Sequence, residues 1–101
     1  MFLDCTDLMT GNEPRDAHGM AVTDVDGDGR LEILVTGAGN RVFKWDGARL
    51  AAVTDPVLAD ATRPSLAVAA ADLDGDGREE LYIVTGDPGA GTKDVADRLF
   101  A

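Results

Sequence analysis

The chain has 101 residues, 45% of them apolar, and its 19 Asp and Glu against 9 Lys and Arg give a formal charge of −10. That length holds one domain or a piece of one and excludes a large multidomain enzyme, and the apolar share excludes wholesale disorder. The acidic excess repels nucleic acid and anionic lipid, and no stretch approaches the ~18 apolar residues of a membrane span, so cations or basic surfaces are the expected partners.

In chain order, Met1-Phe2-Leu3-Asp4 carries neither the basic nor the apolar segment of a signal peptide, so the leader of any exported form is expected outside this sequence. The lone Cys5 cannot close an internal disulfide and reads as a small buried hydrophobe. Residues 2–7 read as a spare outer strand within a lead-in over 1–17. A strand then begins near His18, where Gly19 and Ala21 are small enough for a crowded inner position. His18 is read as a packed or hydrogen-bonded strand-end residue, because no Ser or Cys nucleophile stands at a recognisable distance from it.

The acidic run Asp24-Val25-Asp26-Gly27-Asp28-Gly29-Arg30-Leu31-Glu32 returns as Asp72-Leu73-Asp74-Gly75-Asp76-Gly77-Arg78-Glu79-Glu80, 48 positions later (24 to 72). A repeat of roughly 40 to 50 residues is the length of one four-stranded propeller blade. After each run comes a short β-branched segment stopped by Thr-Gly, at 33–37 and 81–86, which reads as strand and turn. Arg41-Val42-Phe43-Lys44-Trp45 alternates so that Phe43 and Trp45 share a face, expected to be core between blades. Asp46-Gly47 before 49–53 predicts a tight type I′ hairpin. Ala-rich residues 65–71 read as the second inner strand rather than a helical turn. Residues 86–97 read as a loop with a short helical turn at 94–98, and Arg98-Leu99-Phe100 starts another outer strand matching Arg41-Val42-Phe43.

The expected fold is therefore all-β, with two four-stranded antiparallel blades in one segment over 1–101. The first blade covers 18–55, and the second, over 65–101, lacks its last strand. The spare N-terminal strand is expected to complete a blade by pairing strands from opposite chain ends.

Asp at the first, third and fifth loop positions places three hard oxygen ligands on one side of a tight turn, and the alternating Gly residues let the backbone curl round a cation. The backbone carbonyl of Arg30 or Arg78 and the carboxylate of Glu32 or Glu80 complete an oxygen set suited to calcium, about two ions per chain. Zinc or copper calls for His or Cys ligands absent from these loops. An EF-hand needs a bidentate Glu at position twelve, where this chain has Val35 and Ile83. The Gly-rich stretch ending at Lys93 fails as a phosphate-binding loop, because Asp94 follows the Lys in place of Ser or Thr.

These residues, Asp-x-Asp-Gly-Asp-Gly-x-x-Glu before a β-branched strand and Thr-Gly, resemble the FG-GAP and VCBS repeats of integrin-α-like propellers. The wider frame, with Asn40-Arg41-Val42-Phe43 and Leu50-Ala51-Ala52-Val53, resembles blades of the ASPIC/UnbV and cartilage-acidic-protein group. The resemblance implies a calcium ion in the loop between the first two strands of each blade. Its ligands carry over as Asp24, Asp26, Asp28, the Arg30 carbonyl and Glu32, then Asp72, Asp74, Asp76, the Arg78 carbonyl and Glu80. It also implies an extracellular or cell-surface setting. Glu32 and Glu80 depart from the Asp that many members carry. The function expected is structural and interactive, with no catalysis, no membrane insertion and a protein or glycan ligand of unspecified kind. The competing reading is the propeller portion of a hydrolase or lyase whose catalytic residues lie elsewhere. Two blades cannot close a ring, so the chain is expected to be part of a longer protein or to form a homo-oligomer of three to four copies.

Overall fold

Alternating apolar residues between Gly-bearing turns become strands throughout the computed structural model, which describes residues 2–14, 16–37, 39–53, 58, 65–86 and 97–101. After a 3-10 turn at Thr6–Leu8, the strands are β1 (Met9–Thr10), β2 (Ala17–Thr23), β3 (Glu32–Gly37), β4 (Arg41–Trp45), β5 (Leu50–Val53), β6 (Ser65–Ala71), β7 (Glu80–Thr85) and β8 (Arg98–Phe100). The fold is all-β, in two sheets.

The first sheet has the order β1-β5-β4-β3-β2 and the second β6-β7-β8. Strands β2 to β5 form an antiparallel meander, and β1 lies parallel to β5 through Met9 opposite Leu50 and Thr10 opposite Ala51. Five and three strands therefore stand where two four-stranded blades were expected. The spare N-terminal strand extends the sheet that was already complete and leaves the three-stranded one unextended. The reason is local. Asp4 Oδ1 accepts from both Thr6 N–H, at 3.0 Å, and Thr6 Oγ1, at 2.6 Å, bending residues 4–8 into a turn. Pairing begins only at Met9. Farther along, Arg41 donates to the Glu13 carbonyl at 3.1 Å and Arg49 to the Asp7 carbonyl at 2.9 Å, pinning the lead-in beside the first sheet.

The hairpin after β4 also differs from expectation. Asp46 N–H donates to the Arg49 carbonyl at 3.0 Å, and Gly47 has φ of 102° while no non-Gly described residue has positive φ. With positive φ at the first central position alone, the turn is not type I′, which needs it at both central residues. Asp46 Oδ1 braces it by accepting from Ala48 and Arg49 N–H. Residues 65–71 are strand, as their period-two burial requires.

The sheets pack face to face through Leu34 and Val42 of the first and Leu81 and Ile83 of the second. Leu58 is buried with them, and Val25, Val68, Ala70 and Phe100 complete the core. Small residues let β2 and β6 approach. A Cβ on Gly19 would lie 3.2 Å from Ala67 Cα and 3.3 Å from the Leu66 carbonyl oxygen. Expectations of burial fail at two places. Cys5 is exposed, like the rest of residues 2–8. Trp45, beside the hairpin, is 47% exposed, and Phe43, though buried with the Arg41 guanidinium 5.4 Å from its ring, alternates with Val42 and stands outside the cluster between the sheets. His18 lies exposed in β2. The expected loop over 87–96, the greater part of its helical turn, and Thr54 and Asp55 at the end of the first blade lie outside the described residues.

Candidate metal centre

Each acidic run bridges two antiparallel strands, β2 to β3 and β6 to β7. Glycines at the fourth and sixth positions take φ of 76° and 85° in the first loop and 79° and 90° in the second, values L side chains avoid. This left-handed kinking turns successive N–H groups inward. Asp24 accepts from Gly27 and Asp28 N–H on Oδ1, at 2.9 and 3.1 Å, and from Gly29 N–H on Oδ2, at 2.8 Å. Asp72 accepts from Gly75, Asp76 and Gly77 in the same way, at 2.8, 3.1 and 2.9 Å. The third and fifth Asp repeat the match: Asp28 N–H donates to Asp26 and Arg30 N–H to Asp28, Asp76 N–H to Asp74 and Arg78 N–H to Asp76. Two stretches of sequence thus build one loop twice.

The loops gather Asp24, Asp26, Asp28 and Glu32 in one cluster and Asp72, Asp74, Asp76 and Glu80 in the other, with one ligand atom from each residue within 4.8 Å of the rest. Arg30 and Arg78 close the loops, engaged through their backbone N–H as described. The loops flank a cleft of about 350 Å³ lined by Thr23, Asp24, Gly27, Asp76, Arg78 and Glu79. Thr23 Oγ1 donates across it to Glu79 Oε1 at 2.9 Å, fixing one loop root to the other.

The clusters differ in their fourth carboxylate and in their charge balance. Glu32 is 2% exposed, and among the described residues neither of its carboxylate oxygens has a hydrogen-bond donor. Burial first, and then contact with the Asp26 carboxylate, push Glu32 up to about 7. Two carboxylates share such a contact only through a proton or a cation. Glu80 instead accepts from Leu73 N–H at 2.7 Å. Lys44 of β4 reaches into the first loop, donating to Asp26 Oδ2 and, at 2.5 Å, to Asp28 Oδ2. Those bonds hold Asp26 below the usual carboxylate range and the Lys44 ammonium above its own. In the second loop the Asp76 N–H pulls Asp74 down, but partial desolvation and the charges of Asp76 and Glu80 outweigh it and raise that carboxyl.

An all-oxygen donor set of four carboxylates suits a hard divalent cation. The sequence pattern singled out every member of both clusters but missed Lys44. Its one available signal was an alternation placing it on the Val42 face of β4. The family model for the FG-GAP-like repeat matches residues 24–83, spanning both loops. No curated protein matches the chain.

Proposed function

Since the chain belongs to the FG-GAP-like repeat family, we propose that it is a non-catalytic β-propeller segment whose two acidic loops bind calcium and so rigidify an interaction surface. The observation that carries the calcium reading is Glu32: a buried carboxylate without a donor among the described residues, set against three further carboxylates. Burying an uncompensated charge is costly, and a bound divalent cation turns that cost into a favourable contact. Asp24, Asp26, Asp28 and Glu32 would hold one ion and Asp72, Asp74, Asp76 and Glu80 the second, each with the carbonyl at loop position seven. The ion would supply two positive charges that lock each β-turn-β unit.

The propeller reading draws support from how the sheets stack. By the 48-residue spacing and the strand registers, Leu34 and Val42 correspond to Tyr82 and Leu99. Yet Leu34 and Val42 face the core, whereas Tyr82 is 44% and Leu99 60% exposed. The sheets therefore pack front to back, leaving the second sheet with the face that the first has covered. Such head-to-tail contacts, when repeated, generate rings if the rotation between neighbours closes. The missing neighbours would come from a longer chain or from three to four copies of this one.

Calorimetric titration of chelator-treated protein tests the metal half of the proposal. Heat of binding with two sites per chain is expected, and no binding up to millimolar calcium overturns it. Light scattering in calcium tests the assembly half, for which a stable folded monomer would be the refuting result.

A further inference from the structure

The two loops share backbone, glycines and carboxylates, but among the described residues only the first holds a lysine ammonium between its carboxylates. Strand register explains why. Ile33 lies opposite Phe43 and Leu81 opposite Phe100, so the next positions outward are Lys44 in one repeat and Ala101 in the other. The ammonium that reaches Asp26 and Asp28 is thus replaced by a methyl group at the equivalent place.

We infer that Lys44 is a tethered competitor for the first loop, so that calcium enters there by displacing the ammonium, while the second loop fills first and without exchange. The inference rests on the calcium reading above. The Nζ group bonds two of the four clustered carboxylates, so an incoming ion must break both contacts to reach them. It cannot neutralise the site alone, because both Glu32 oxygens stay without a donor among the described residues. The first loop therefore keeps a demand for a divalent ion even with Lys44 in place. Lys44 sets the concentration at which that demand is met. One positive charge about 5 Å from a divalent ion, in a water-like dielectric, corresponds to roughly tenfold in affinity.

The test is a calcium titration of the full chain carrying Asp74→Asn, which weakens the second loop and isolates the first. Calorimetry and the emission of Trp45, the one tryptophan and the neighbour of Lys44, both report it. Adding Lys44→Met is expected to tighten the first loop roughly tenfold. The reciprocal change Ala101→Lys, in a chain with intact loops, should weaken the second loop by a similar factor. Lys44→Gln, checked by circular dichroism, serves if the Met variant fails to fold. Unchanged or weaker first-loop affinity in folded Lys44 variants would overturn the inference and leave the calcium reading standing. Absence of binding in the unmutated chain would remove both.

Discussion

Replacing Glu32 by Gln keeps the side chain's shape and removes the charge that the fold buries without a donor. The carboxylate lies within 4.8 Å of Asp24, Asp26 and Asp28. Each like-charge pair at that distance costs about 1 kcal/mol in water and ~3.5 kcal/mol at an effective dielectric of 20. Lys44 offsets part of this through Asp26 and Asp28, so a gain of ~1 to 3 kcal/mol is expected for the metal-free variant. Calcium reverses the sign. A charged ligand lost should weaken the first loop at least about tenfold, or ~1.4 kcal/mol, and lower the saturated protein's stability accordingly. Urea unfolding followed by circular dichroism, once in chelator and once in millimolar calcium, reads both arms. The variant's curve should lie above the parent's without metal and below it with metal. Equal destabilisation in the two buffers would refute the idea that Glu32 is buried for a cation.

Glu32 also sets a pH dependence. Its folded value of about 7 exceeds the ordinary 4.5, so the folded state holds that proton more tightly than the unfolded chain does. Its contribution to metal-free stability is full below about 4.5 and lost as pH rises through about 7, while Asp26, held low by Lys44, titrates beneath that window. Melting temperatures in chelator should therefore fall between pH 5 and 8, and saturating calcium should abolish the fall. At the contact between β2 and β6, Gly19→Val should cost ~1 to 3 kcal/mol, because its Cβ meets backbone at 3.2 and 3.3 Å and cannot move aside. A shift in the urea midpoint measures it. Ile83→Ala empties a fully buried core position and should lose ~2 to 5 kcal/mol, read as a lowered melting temperature in calcium.

Much of this architecture was legible in the chain. The spacing of Asp24, Asp26 and Asp28 and its return at Asp72, Asp74 and Asp76 define each loop locally, because Gly at the fourth and sixth positions permits the kinks and Asp side chains cap the N–H groups three to five residues on. Strands β2 to β8 follow from short-range pattern, with Thr-Gly stops at the ends of β3 and β7. Residues 2–7 misled because they resemble the outer-strand sequence ending at Val53-Thr54-Asp55, while the Asp4 bonds to Thr6 that bend them compete only once the backbone turns. The Asp46-Gly47 hairpin was visible but not its turn type, which depends on the φ of Ala48 as well as Gly47.

Short-range pattern thus determines the loops, the strands and the repeat, since hydrogen bonds and φ preferences act over a few residues. Packing over longer range decides the rest. The burial of Glu32 without a donor, the close approach at Gly19 and the covered face at Leu34 set against the open one at Tyr82 all depend on one sheet lying over the other. Lys44 is the sharpest case. Sixteen positions past Asp28, it meets that carboxylate only because β4 folds back beside β3 in one register, and the same register puts Ala101 in its place in the second repeat. Two loops alike in sequence are made unlike by what the sheet brings to their edges.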